Sequence, residues 1–356
     1  MNFRLMLWCL PVFVYLLSLG GAYLFLIRCY EFEDYPSIIE QQGDSGIYGS
    51  GLRSDQLVYK IELLKHRSDE VDVVAVGSSR SGPFRREHFT SSFINLAVAP
   101  LDAQHFYWLA QHALEEKKPK ILIACFDFWW TNSNFMETYK FVQPNLDQNR
   151  HVSIANLHEV FHYLRKGELS FTDVFNLRHQ PGKVVGLHAI TRGRGCAPDG
   201  SFRSIPPHND IIKNGLIREL IAAHAGQKRF QPSQSLQSVH LQQLNRFLAF
   251  LKKKGTPTIF LFPPVHPEAA KILQSHDHSH FRKLKNHLQS RCPQNVQILD
   301  ASDASLYQAD DMEFSDLIHG NEKAYARMLL WASHQITGLD HHLDLTYLKE
   351  KIKPSF

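Results

Sequence analysis

Val71-Asp72-Val73-Val74-Ala75-Val76-Gly77-Ser78-Ser79-Arg80 decides the fold. A short β-branched run stops at a glycine and hands over to small polar residues, the pattern of a buried strand ending in a tight turn. Four further β-branched or aromatic runs follow, so that the predicted strands are Asp72–Val76, Phe93–Ala97, Lys120–Phe126, Thr258–Phe262 and Val296–Leu299. Between the second and third lies Leu101–Lys118, with Phe106, Leu109, Ala110 and Ala113 at helical spacing. Helical patterns also fill Ser233–Lys254, Pro267–Arg291 and Asn321–Thr337. Strands separated by helices predict an α/β domain with a doubly wound, five-stranded parallel sheet. Residues 131–232, between the third and fourth strands, read as a helical insertion or cap. Its helical segments are Ala155–Arg165 and Ile211–Ala225, and Gly186 to Pro207 is a Gly/Pro-rich loop.

Upstream, Leu5 to Ile27 is uncharged and apolar for about 23 residues, enough to cross a bilayer core of ~30 Å. The run is longer than the apolar core of a signal peptide and continues past its small-residue site, Gly20-Gly21-Ala22. Residues 1–30 are therefore expected to be a retained transmembrane anchor, with 31–356 as the α/β domain. Arg4 and the terminal amine flank one side and Arg28 the other, so the positive-inside rule gives little; N-in, with the bulk on the extracytoplasmic side, is favoured. A formal charge of +4 without basic patches interleaved with aromatics argues against nucleic acid. Lys349, Lys351 and Lys353 read as a solvated tail. Five cysteines make no disulfide framework, although Cys196 and Cys292 could pair in an oxidising compartment.

Ligands of open α/β sheets bind beyond the carboxyl ends of the strands. Ser79 follows the first strand, Asn95 stands at the end of the second and leads on to Ala99, Asp127 and Asn132 follow the third, His266 the fourth, Asp316 and His319 the fifth. All fall on one sheet edge. A serine hydroxyl needs an imidazole to take its proton, and the imidazole needs a carboxylate to fix its tautomer. Asp316-Leu317-Ile318-His319 supplies both within one turn. Read blandly, Ser79 is a helix cap and His319 one of 21 histidines. The matching positions after strands one and five favour the triad Ser79, His319 and Asp316.

At these residues the chain resembles the SGNH/GDSL hydrolases, most closely membrane-anchored branches similar to the D-alanyl-lipoteichoic acid transfer protein and alginate O-acetyltransferase-type proteins. Gly77-Ser78-Ser79-Arg80 resembles the nucleophile block, Phe93-Ile94-Asn95-Leu96-Ala97 the second, and Phe314-Ser315-Asp316-Leu317-Ile318-His319-Gly320-Asn321 the last. Cys125-Phe126-Asp127-Phe128-Trp129-Trp130-Thr131-Asn132 stands where the third belongs. The resemblance implies a flavodoxin-like SGNH fold and acyl-ester hydrolysis or O-acyl transfer through an acyl-serine. It further implies a cell-envelope polysaccharide or lipid-linked glycan as substrate, a periplasmic setting, and a membrane-bound acyl-donor protein as partner. This chemistry calls for no cofactor. Pro100 stands where the family commonly has a glycine, and Gly-x-Asn is missing from the third block. A proline has no N–H to offer an oxyanion. The donors are then expected from the Ser79 amide and from Ala99, Asn95 or Asn132.

Two rival readings remain at this level. One is a non-catalytic envelope protein of the same fold that binds glycan or an acyl-transfer partner. The other is a flavodoxin-like ligand-binding domain. Arg80 could bind a substrate anion, and His266 could contact substrate or act as base; for each, a structural role stands equally. Arg85 and Arg86 read as an exposed helix face, Asp310, Asp311 and Glu313 as solvated, and Asp127 as a hydrogen-bonding strut. Trp129 and Trp130 read as core ahead of a sugar platform, His276-Asp277-His278-Ser279-His280 as a loop ahead of a metal site, and Ala197–Ser201 as a turn.

Overall fold

The computed structural model describes residues 3–52, 56–67, 70–99, 102–135, 153–170, 172, 184–203 and 209–353. They form two compact units. One comprises residues 1–66, 144–198 and 202–205, and the other residues 67–143, 199–201 and 206–356.

The larger unit carries five strands: β1 (Val73–Gly77), β2 (Phe93–Ala97), β3 (Ile121–Cys125), β4 (Thr258–Phe262) and β5 (Val296–Asp300). Their order is β2-β1-β3-β4-β5, and every neighbouring pair is parallel. Each predicted strand is present with its ends moved by a residue or less. The first four strands are buried along their whole length, so they show no polar alternation, as expected of a parallel sheet covered on both faces. Alternate side chains serve opposite faces. Val73, Ala75, Phe93, Ile121, Ile123, Ile259 and Leu261 pack with Tyr325, Met328, Leu329 and Leu348. On the other face Phe106 meets Phe126 and Phe247 edge-on, and Phe126 meets Phe260 at a tilt. Each large apolar side chain so buried contributes about 1.5–3 kcal/mol.

Helices Ala103–Glu116, Ser238–Lys254, Pro267–Gln274 and Ser279–Arg291 lie between strands, and Glu322–Ala332 follows β5. The predicted helix over Pro267–Arg291 is thus two, the second starting after a short turn at His276–His278. The expected basic tail is largely a helix, Leu345–Lys351, and Lys351 Nζ lies 3.0 Å from Glu322 Oε2. The predicted helix Ile211–Ala225 runs from Asn209 to His224 in this unit, whereas Ile154–Arg165 belongs to the smaller one.

In the smaller unit the helix Phe3–Arg28 is the one described helix long and apolar enough to cross a membrane, over Cys9–Arg28. Leu10, Val12, Phe13, Val14, Leu16, Leu17 and Leu24 are exposed along it. Its last turns are buried: Ala22, Phe25, Leu26 and Cys29 pack with Val160, Tyr163, Leu169 and Leu187. The sequence pattern did not reveal helices Tyr35–Gln42, Gln56–His66 and Leu187–Arg192, nor a small sheet of four two-residue strands. Two buried polar side chains tie that region together. Glu31 accepts hydrogen bonds from the Leu187 and Gly51 amides and the Ser50 hydroxyl, at 2.5, 3.0 and 2.6 Å. Gln42 donates to the Gly46 and Cys196 carbonyls and accepts from Tyr59. Cys196 and Cys292, like the other three cysteines, are free thiols.

Candidate active site

β1 ends at Gly77, where a Cβ would sit 2.7 Å from Cys125 Cβ and 2.8 Å from Ser81 Oγ. Only glycine fits so close a passage. The chain then turns. Ser78 is extended and its hydroxyl accepts from the Arg80 amide, while the Ser81 amide and hydroxyl both donate to the Ser78 carbonyl. Ser78 is therefore the cap, and Ser79, the next residue, is left exposed.

The other half of the site is a loop that closes on itself. Phe314 bridges Gly320, and the Ser315 amide donates to the His319 carbonyl at 2.9 Å. Within the loop Asp316 Oδ1 accepts from the Ile318 and His319 amides, each at 2.8 Å. Its Oδ2 lies 2.6 Å from His319 Nδ1, and His319 Nε2 lies 2.8 Å from Ser79 Oγ. The three sequence-predicted residues thus meet in one chain of hydrogen bonds. A carboxylate on Nδ1 keeps the proton there, so the Nε2 lone pair faces the serine hydroxyl, which donates. Burial alone would raise the Asp316 carboxyl; the bonds from His319 and from the two amides outweigh it and hold Asp316 below the usual carboxylate range. The Ser79 amide has no hydrogen-bond partner among the described residues. Ala99 is exposed just past β2, and Pro100 lies outside the described residues.

The remaining expected ligands are buried struts, which corrects their reading as substrate or oxyanion contacts. Asn95 is fully buried; its Nδ2 donates to the Ser81 and Phe84 carbonyls and its Oδ1 accepts from the Ala97 amide. Asn132, equally buried, donates to the Gln231 carbonyl and accepts from the Asn134 amide. The Asn95 N–H donors are thus engaged, and Asn132, at 0 % exposure, does not reach the surface. His266 caps the helix Pro267–Gln274, Nδ1 accepting from the Glu268 amide, and its own main-chain N–H donates to the Leu317 carbonyl at 3.0 Å. Burial holds its imidazole below the ordinary histidine range.

Arg80 is the largest correction. At 2 % exposure it cannot meet a substrate anion. Its guanidinium pairs with Asp127 Oδ1 at 3.0 Å and donates to the Pro263, Pro264 and Ile318 carbonyls at 2.6, 3.0 and 3.2 Å. One buried side chain thereby joins the Ser79 turn to the ends of β3 and β4 and to the residue preceding His319. Tyr325 completes the joint by donating its hydroxyl to the Arg80 carbonyl. Asp127 is the strut expected, although it serves a guanidinium. Burial raises its carboxyl, and Arg80 opposes that.

Trp129 and Trp130 are core. His278 and His280 bind the Phe230 and Ser233 carbonyls, and no cluster of metal-binding side chains occurs among the described residues. Glu313 is buried against Arg327 at 3.0 Å, contrary to its reading as solvated. Arg86 is exposed in a short turn, whereas Arg85 pairs with Glu322 at 3.3 Å. Asp199, in the expected turn, accepts from the Arg86 amide and Ser201.

Sequence reasoning missed one wall of the site. A shallow, solvent-open cleft lies beside the triad loop, lined by Leu317 and Ile318 and also by Glu219, Ala223, Lys228 and Arg229. Glu219 accepts from the Leu317 amide at 3.2 Å. No motif marks these residues, since they lie about a hundred positions from the loop they face. No family description, no curated protein and no solved structure matches this chain.

Proposed function

We propose that the chain is a serine-dependent acyl-ester hydrolase or O-acyltransferase of the SGNH type. The observation that carries the reading is the Ser79–His319–Asp316 relay, with links of 2.8 and 2.6 Å. His319 Nε2 takes the Ser79 proton as Oγ attacks the ester carbonyl, and Asp316 holds the imidazole and steadies its positive charge. The Ser79 amide donates to the oxyanion, with a second donor expected near Ala99. Collapse of the tetrahedral intermediate expels the alcohol, which takes the proton from His319 and leaves an acyl-Ser79. Water or a second hydroxyl then receives the acyl group.

The strand order β2-β1-β3-β4-β5, with Ser79 after β1 and the Asp–His loop after β5, supports the flavodoxin-like SGNH fold. The apolar helix Phe3–Arg28 supports a single-pass anchor. Placement of the domain on the periplasmic side, a cell-envelope glycan as acceptor and a membrane-bound acyl donor complete the proposal.

The test is labelling of the full-length protein in detergent with a fluorophosphonate, which reacts with activated serines. Wild type and Ser78→Ala should label, while Ser79→Ala and His319→Ala should not. A folded wild type that stays unlabelled would sink the esterase reading and leave the non-catalytic one.

A further inference from the structure

We propose that the cleft beside the triad loop binds an anionic group of the substrate, a carboxylate or a phosphate, through Arg229 and Lys228. The proposal rests on the serine-esterase reading for what the substrate is, though not for whether the cleft binds anions.

Three observations converge. The Arg229 guanidinium lies over the Trp129 ring at 5.1 Å, and Arg80 lies 5.4 Å from the same ring. Arg229 is thus held over a π system with the buried Asp127 carboxylate within electrostatic reach, and neither it nor Lys228 forms a direct ion pair or hydrogen bond among the described residues. A guanidinium placed on an indole face keeps its N–H fork for a bidentate acceptor. Second, Lys228 stands at φ +54°, a left-handed conformation that a lysine adopts at a cost. Such strain is retained where the surroundings impose it, often at ligand sites. Third, the one carboxylate lining the cleft, Glu219, already accepts the Leu317 amide. Two cations against one engaged carboxylate leave the cleft positive, beside the loop that carries His319.

Titration calorimetry on the full-length protein reads the cleft without turnover, using 4-hydroxybenzoate, phenyl phosphate and neutral phenol. Wild type should bind at least one of the two anions and not phenol. Arg229→Gln should weaken that binding tenfold or more, Lys228→Gln by less, and Arg229→Lys should restore part. Which anion binds separates carboxylate from phosphate. Equal affinity of wild type and Arg229→Gln, or no binding by wild type, overturns the proposal. With 4-acetoxybenzoate, 4-acetoxyphenyl phosphate and phenyl acetate as esters, the ratio of anionic to neutral kcat/KM should fall in Arg229→Gln, through KM. Fluorophosphonate labelling runs alongside: a labelled protein without anion selectivity refutes the cleft alone, and an unlabelled one that binds anions refutes the triad alone.

Discussion

Two sets of polar side chains share one edge of the parallel sheet and differ in almost every physical respect. Ser79, Asp316 and His319 are exposed or half-buried, and each bonds to the next. Arg80, Asn95, Asp127, Asn132 and His266 are all buried to 2 % exposure or less, and most of their bonds go to main-chain carbonyls and amides. The carboxyls diverge accordingly: Asp316 is held below its ordinary range and Asp127 is raised. The outer set can act on a substrate, and the inner set fixes the loops that present it.

The sharpest way to break this comparison is to remove each set in turn. Ser79→Ala and His319→Ala should each cost ester turnover about 10⁴-fold or more. Being outside the core, they should change unfolding free energy by no more than about 0.5 kcal/mol. Denaturant midpoints measured beside the rates decide it; a large stability loss would place Ser79 among the struts. Arg80→Met should do the reverse in kind, costing about 3–5 kcal/mol of stability because Asp127 is left buried and unpaired. The double variant Arg80→Met/Asp127→Leu should recover part of that loss, since no lone charge remains. Rates of the double variant should still lag, because Pro263, Pro264 and Ile318 have lost their donor.

How much of this was legible beforehand follows the same division. Strand runs such as Val73–Val76 and Thr258–Phe262 are buried on both faces and so stand out as unbroken apolar stretches. Ser79, Asp316 and His319 are paired by chemistry that only certain residue types perform, and their place after particular strands brought them together. The struts were seen as residues at the right edge but not sorted from the ligands. Whether an asparagine amide faces a pocket or the Ser81 carbonyl is decided by loop paths that leave no periodic trace. Glu31 likewise carries no sequence signal of its role, although folding buries it against the Leu187, Gly51 and Ser50 donors. The cleft wall at Glu219, Lys228 and Arg229 was hidden by distance along the chain alone.

Acid should reach the buried histidines before the Asp316 carboxylate. Burial lowers His88 and His280 from 6.5 to about 4. A histidine whose folded pKa lies below its unfolded one stabilises the fold in the neutral form. That contribution is complete above about pH 6.5 and is lost as pH falls toward about 4, roughly 3 kcal/mol for each. Asp316, held low, loses its contribution only as pH falls further, through its own depressed pKa. Unfolding free energy followed from pH 7 to 4 should therefore decline, and His280→Gln should flatten the decline while lowering stability at neutral pH. An unchanged slope in that variant would mean that His280 is not the group titrating.

The smallest effect separates the two sets most finely, at His266. Its ring caps a helix and faces Asp311 Oδ1 at 3.4 Å, while the bond to the Leu317 carbonyl comes from its main chain. His266→Ala should thus cost about 1 kcal/mol, the value of a lost cap, and His266→Asn should recover most of it because asparagine caps as well. A base removed from the chemistry would instead lower the rate by about 10²-fold or more in both variants. The asparagine substitution tells these apart, since it restores a cap acceptor and cannot restore an imidazole. Rescue of stability with rates close to wild type keeps His266 with the struts; a rate collapse that asparagine fails to rescue would move it into the outer set beside His319.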